Sequence, residues 1–258
     1  MAENKFTKLG YEARNKRDYE TAMKYFKQAA EENDETAICI VANMYANGEG
    51  VPRNKAEAQK WRRKLFEIYK KQFEEGKIEA GYGIFRMYTD GQLDAADGGR
   101  LESENYLEDI MYWLKKMANI KPSETDKYTN ENFYRNESMY DIADIYHHGK
   151  SWRGSLHVDT NIKEAIKWYK KIIEDKYCYS YKTESMLALG IIYYKGNGVE
   201  RDYSEAKKWF QMAAKSEFEA SYALYMMYRD GIGVEKDLEE SARWYEKAKS
   251  QYHSGRWG

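Results

Sequence analysis

Three groupings in this 258-residue sequence contain the residue types that chemistry needs, and each can be weighed on its spacing. His147 and His148 are adjacent, His157 follows within the same polar stretch, and Asp141 and Asp144 precede them. Imidazoles and carboxylates grouped in this way could hold a metal ion or pass a proton. A metal site, however, draws ligands that converge from a helix and a loop, and neighbouring histidines on a helix point in different directions. The histidines therefore read as a solvated or partner-facing cluster, and the two aspartates as carboxylates on a solvated helix face. Ser204-Glu205-Ala206-Lys207 has the Ser-x-x-Lys spacing of some nucleophilic serines, but no Ser-Asp-Asn or Lys-Thr-Gly accompanies it. Gly196-Asn197-Gly198 lacks the third glycine and the Lys-Ser/Thr ending of a phosphate cradle, and continues instead as Val199-Glu200-Arg201-Asp202. No metal, no cofactor and no catalytic constellation is expected.

Composition narrows the partners. Forty-two Lys and Arg balance 43 Asp and Glu, for a net charge of −1, and Lys is interleaved with Glu along the chain. A nucleic-acid-binding domain shows a basic excess instead, so no nucleic-acid partner is expected. The opening Met1-Ala2-Glu3-Asn4-Lys5-Phe6-Thr7-Lys8 does not read as a secretory leader, and no apolar run is long enough to cross a membrane. A cytoplasmic protein without membrane association is the expectation. Cys39 and Cys178 are isolated in apolar-looking helical contexts and read as buried free thiols. Only two prolines occur, which favours helix, and 25 Tyr with 7 Trp supply aromatic mass for packing or for contacts.

The elements that carry these residues repeat. Leu189 to Asp202 aligns without a gap on Leu224 to Asp237, an offset of 35 residues that persists to Trp209 and Trp244. An earlier copy runs from Ala42 to Asn54 and on to Trp61, and in all three copies the tyrosine precedes the tryptophan by 16 residues. In two further copies, Tyr88 to Trp113 and Tyr146 to Trp168, that interval is 25 and 22 residues. The extra residues belong in a turn at one edge of a repeat array, where loops grow without disturbing the core. Within a copy, Ala206, Trp209, Phe210 and Ala213 fall on one stripe of a helix. Gly196 and Gly198 can stop the helix before it, and Asp202 can cap the helix after it. Small residues at Ala42, Ala143 and Gly190 let paired helices approach closely.

Laid out in this way, the sequence resembles the Sel-like repeat (SLR) family, a branch of the tetratricopeptide-type αα-hairpin repeats. Leu189 to Ala214 follows the family pattern almost fully, while the copies from Ala80 and Ser138 lose the Gly-x-Gly-Val turn. The first unit, with Leu9-Gly10, Ala13, Asp18-Tyr19, Ala22, Phe26 and Ala29, is closer to an ordinary tetratricopeptide repeat and suits an end cap. The fold expected is an all-α αα-hairpin solenoid, a right-handed superhelix of about six repeats. It would form one repeat domain over 1–250, with units near 4–32, 36–77, 79–120, 137–177, 183–216 and 218–249, a polar connector from Asn119 to Ser138, and a tail over 251–258.

The resemblance implies a non-catalytic scaffold or adaptor for a protein or peptide partner, including the specific case of a bacterial regulatory or immunity (toxin-neutralising) protein. The alternative is a cell-wall or small-molecule enzyme on a repeat frame, for which the sequence offers no nucleophile constellation. If first helices line the concave side, as in tetratricopeptide-like arrays, that face presents Asn43, Tyr82, Arg86, Tyr140, Asp144, His147, Tyr194, Tyr222, Met226 and Arg229. Trp152 and Arg153, in the inserted turn from Gly149 to Asp159, are further candidates, because Trp and Arg recur among interface hot spots. Such a set, aromatic with mixed charge, suits a folded partner or a peptide with apolar anchors and charges.

Overall fold

Eight of the helices that follow begin at a short polar side chain that accepts a hydrogen bond from the backbone of its own first turn. The computed structural model describes residues 4–89, 106–122, 129–149 and 159–254. Among the described residues there are twelve helices and no strand. They are α1 (Lys5–Asn15), α2 (Tyr19–Glu31), α3 (Glu35–Asn47), α4 (Lys55–Glu74), α5 (Ile78–Thr89), α6 (Tyr106–Ala118), α7 (Asn130–His148), α8 (Ile162–Glu174), α9 (Lys182–Lys195), α10 (Tyr203–Ala213), α11 (Phe218–Asp230) and α12 (Leu238–Ser254). Consecutive pairs make six αα-hairpins, so the protein is an all-α hairpin solenoid, as expected. Its contacts cluster into two compact units, Met1–Trp113 and Leu114–Gly258.

The hairpins owe their turns to one backbone bond. The N–H of the residue capping each second helix donates to the carbonyl of the repeat tyrosine: Asn54 to Tyr45, Asn161 to Tyr146, Asp202 to Tyr193 and Asp237 to Tyr228. The two residues are nine apart in three of these hairpins and fifteen apart in the fourth, yet the N···O distances all fall between 2.7 and 3.0 Å. The insertion after Tyr146 therefore leaves the closure of its hairpin unchanged. Asn54, Asn161 and Asp202 also accept from the backbone N–H groups of Glu57, Glu164 and Glu205, which would otherwise be unsatisfied.

In the Gly-x-Gly turns both glycines take positive φ, and the second has a further reason to lack a side chain. A β-carbon on Gly50, Gly198 or Gly233 would lie within 2.1 to 2.6 Å of Tyr19, Ile162 or Tyr203, in each case the first residue of the preceding hairpin's second helix. The turn glycine is thus a stacking contact between repeats as well as a chain reversal.

In the first unit, Gly10 sits against the ring of Phe26, which is fully buried with Met23, Ile38 and Val41. Arg14 grips Glu49 in the next hairpin's turn with two hydrogen bonds of 2.9 and 3.0 Å. Phe66 of α4 meets Tyr88 and Trp113 edge-on, and Tyr88 donates to Asp109 at 3.4 Å. In the second unit, Phe210, Leu224, Met227 and the alanines 206, 213, 214 and 220 form a core that Tyr194, Tyr203 and Trp244 flank.

Two sequence expectations need correction. The stretch from Asn119 to Ser138 is not all connector, because α7 starts at Asn130 behind a Thr129 cap and runs for 19 residues. Its first turns bury polar groups, so no apolar stripe marks them. Arg135 pairs with Asp175, Asn136 donates to the Tyr177 carbonyl at 3.2 Å, and Ser138 donates to the Tyr134 carbonyl at 2.7 Å. Cys178 is a free, buried thiol, but it lies in the turn after α8 rather than in a helix, where its Sγ donates to the Ser180 carbonyl. Burial, with Asp175 nearby, pushes that thiol up to about 12, so it stays protonated and unreactive. Cys39, in α3, is half-buried.

Candidate functional site

In the second unit, the first helices α7 and α9 are held apart by α8, which packs against both. The gap is a groove of about 600 Å³. Tyr140, His147 and His148 of α7 form one wall, and Glu184, Leu187, Ile191 and Lys195 of α9 the other, with Ile162 and Tyr169 of α8 beneath. The spacing of 140 and 147, two helical turns apart, brings both side chains to the groove. On α9 the positions 184, 187, 188, 191, 192 and 195 make the matching stripe.

Tyr169 fixes the floor. It occupies the place after the repeat tryptophan that Phe210 takes in the next hairpin, and it is fully buried. Its added hydroxyl meets His147 Nδ1 at 3.3 Å, with the two rings edge-to-face. Burial, with the neighbouring Tyr140 and Asp144, raises the Tyr169 hydroxyl far above its ordinary value. Burial and the adjacent His148 hold the His147 imidazole down at about 4, so it is neutral at physiological pH. The two histidine rings do not diverge as expected from their adjacency: their centroids are 4.1 Å apart, and both border the groove. His148 Nδ1 lies 2.8 Å from Asp144, four residues back on the same helix.

At the other end of α7, Tyr140 stacks on Tyr181 with centroids 4.7 Å apart and planes 20° from parallel. Burial comes first in raising both hydroxyls, Tyr181 to about 12, and neighbouring acidic groups add to it: Asp144, Glu184, Tyr181 and Asp141 at Tyr140, and Glu137, Asp141, Glu184 and Cys178 at Tyr181. Asp141 is not the solvated carboxylate its sequence context suggested. Burial, reinforced by Glu137 and Asp144, pushes it up to about 8, and its Oδ2 is buried without a hydrogen-bond partner. Among the described residues, no group of three or more His, Cys, Asp or Glu is arranged to hold a metal ion.

The other expected contact residues are spread over first helices. Asn43 is exposed on α3, where it donates to Cys39 Sγ at 3.8 Å. Tyr82 lies beside Phe85, and the exposed Arg86 acts on Tyr69, whose hydroxyl burial and Glu35 push up to about 12. Tyr194 packs against Tyr203 and Phe210 within its own hairpin. Tyr222, 43% exposed, and Arg229 both contact Tyr225, which also meets Tyr245 of α12, and Met226 is half-buried on the same helix. Trp152 and Arg153, with His157, lie outside the described residues. Sequence reasoning misread Asp141 as solvated and missed Tyr169, Tyr181, Glu184 and the α9 stripe. The available signal was the tyrosine at 169, because a hydroxyl at a buried aromatic position demands a partner.

The Sel1 repeat pattern matches residues 7–34, 36–64, 136–176, 183–218 and 216–253, more than half of the chain. The chain belongs to the Sel1 repeat family. The matches include the first hairpin, which lacks the Gly-x-Gly turn, and leave out the third. Among solved structures, a Sel1 repeat protein from Oxalobacter formigenes is similar at 20% identity, with 96% of this chain and 83% of that one covered and a TM-score of 0.46. A protective antigen of uropathogenic Escherichia coli with an SLR fold is similar at 22% identity, with 97% of this chain and 54% of that one covered and a TM-score of 0.40. No curated protein matches this Sel1 repeat chain in sequence. Sel1 repeat proteins generally serve as protein-interaction scaffolds. Among the described residues, no helix is long and apolar enough to cross a membrane.

Proposed function

We propose that this Sel1 repeat protein is a non-catalytic scaffold that holds a protein or peptide partner in the groove between α7 and α9. The observation that carries the reading is the groove itself. About 600 Å³ lies open between two first helices, walled by Tyr140, His147 and His148 on one side and, on the other, by an apolar stripe that Glu184 and Lys195 bracket. That combination suits an extended or helical segment with apolar anchors and a few charges. Tyr140 and His147 border this groove, and Asp144, Asn43, Tyr82, Arg86, Tyr194, Tyr222, Met226 and Arg229 are proposed to extend the contact surface along the first helices. A cytoplasmic, bacterial regulatory or immunity role is the finer form of the same proposal.

The test is position-specific capture. A photoreactive benzoylphenylalanine in place of Lys195, at the groove, should crosslink one partner in native cells, and the same residue in place of Gln211, exposed on α10, should not. Equal capture from both positions, or none from Lys195, overturns the reading. A captured toxin would support the immunity form, and any other partner would sink it.

The alternative of a small-molecule enzyme draws on one observation, the neutral His147 and the raised Asp141 on the same helix. An acid–base pair must reach one substrate atom. Only His147 borders the groove, and its Nδ1 faces Tyr169, so the scaffold reading is preferred.

A further inference from the structure

The 35-residue offset between the last two hairpins carries Tyr203, Phe210 and Ala214 of α10 onto Leu238, Tyr245 and Lys249 of α12. On α10 this face is the contact between hairpins. Tyr203 meets the turn glycine Gly233, and Phe210 and Ala214 are buried in a core shared with Ala220, Leu224 and Met227 of α11. On α12 the same face is open. Leu238 is 64% and Tyr245 45% exposed, where Phe210 is 2% exposed, and Ala242 and Lys249 are exposed with them. Leu238 is the most exposed large apolar side chain among the described residues, whereas an end repeat that meets only water carries a polar outer face.

The four open positions form a seam. Leu238, Ala242, Tyr245 and Lys249 follow one another at intervals of four, three and four, the spacing along which one helix meets another. Ser241 is buried and donates to the Tyr225 carbonyl of α11 at 3.2 Å, which fixes the rotation of α12 and keeps the seam outward.

Those intervals read the same from either end. An antiparallel copy of α12 therefore meets all four positions at once, with Leu238 facing Lys249 of the other copy and Ala242 facing its Tyr245, each contact occurring twice about a two-fold axis. Size and charge agree with this register. The small Ala242 leaves room for the Tyr245 ring. The Lys249 stem can lie along Leu238 while its ammonium, 3.9 Å from Glu246, stays at the edge in water.

We propose that this face of α12, formed by Leu238, Ala242, Tyr245 and Lys249, pairs two copies of the protein as an antiparallel two-fold dimer. None of the four lines the groove between α7 and α9, so the proposal is independent of the docking reading. Four layers of one helix pair make a small interface, and the dimer is accordingly weak and reversible, with a dissociation constant of about 10–100 μM.

Sedimentation equilibrium of the full chain, from about 5 to about 500 μM, should show a single monomer–dimer equilibrium. Leu238→Lys sets like charges face to face and should weaken it by about tenfold or more. Adding Lys249→Glu should restore most of that loss. Within one chain positions 238 and 249 are about 16 Å apart along the helix, so the rescue acts only between copies. Ala242→Trp fills the space meant for Tyr245 and should abolish the dimer, while its exposed position leaves the helical circular dichroism of the monomer unchanged. Should Leu238→Lys lose helicity, Ala242→Trp carries the comparison alone. A monomer at every concentration, a dimer indifferent to these substitutions, or a loss that Lys249→Glu does not rescue overturns the proposal. So does a ladder of species beyond the dimer, which would mean a head-to-tail contact.

Discussion

Gly190 lies against the ring of Phe210 so closely that a β-carbon there would stand 2.5 Å from the ring's Cδ1. Gly10 and Phe26 repeat the relationship in the first hairpin, also at 2.5 Å. An alanine at 190 would gain about 1 kcal/mol of helix propensity, but it must displace an aromatic ring that is fixed within a core. The expected result of Gly190→Ala is a net loss of about 1–3 kcal/mol in urea unfolding. Adding Phe210→Leu should recover part of that loss, and purely additive effects would show that the two residues are not in contact.

The turn glycines separate backbone strain from crowding. Gly233 has φ +68° and a β-carbon there would meet Tyr203 Cβ at 2.1 Å, whereas Gly76 has φ +96° and nothing within 4 Å. Gly76→Ala should cost about 1 kcal/mol, the left-handed penalty alone. Gly233→Ala should cost about 2–4 kcal/mol, because the sixth hairpin must also shift from the fifth. Thermal unfolding of the two variants side by side checks the difference, and equal costs would refute the stacking role.

How much of this was legible follows the repeat. The sequence periodicity revealed the hairpins, the capping residues and the place of the insertion after Tyr146, because each is set by local bonds within some 20 residues. The start of α7 was hidden because Asn132, Arg135, Asn136 and Ser138 bury polar groups there, and the partners of Arg135 and Asn136, at 175 and 177, lie about forty residues on. The groove was half visible. Tyr140 and His147 follow from counting along a first helix, but Glu184 comes opposite them, and Tyr181 onto Tyr140, only through the packing of α8 between α7 and α9. Asp141 was misread for the same reason, since burial depends on what lies opposite.

The pair of Arg135 and Asp175 ties α7 to the turn after α8, with side chains only 7% and 12% exposed. Burial alone would raise the Asp175 carboxyl, but the hydrogen bonds from Arg135 and the Tyr177 N–H, with the charges of Arg135 and Lys182, outweigh it and hold it below its usual range. A depressed folded value means that the stabilisation is complete above the unfolded carboxylate range and is lost as the pH falls through the folded value. Arg135→Met should therefore cost about 3–5 kcal/mol near neutrality, by leaving Asp175 buried and unpaired. Asp175→Asn in the same background should recover much of it, and the parent protein should lose this advantage in acid. Equal stability of Arg135→Met and its parent at pH 7 would refute the account.

Asp141 has the opposite sign. Its folded value of about 8 lies above its ordinary value of 3.8, so the folded chain holds this proton more tightly than the unfolded chain does. Stability is then greatest below the unfolded value and declines as the pH rises from about 4 through about 8. His147 works against this at the acid end. Held down to about 4 from 6.5, its contribution is present above 6.5 and is lost as the pH falls. Above about pH 6.5 His147 is neutral in both states, and Asp141 acts without that opposition. From there to about pH 8.5 the parent should lose on the order of 2 kcal/mol of unfolding free energy through this one group. Asp141→Asn keeps the side-chain shape and cannot ionise, so its stability should stay level over that window and exceed the parent's at the alkaline end. Denaturant unfolding at half-unit pH steps measures both slopes, and parallel curves for the two proteins would show that Asp141 carries no buried proton.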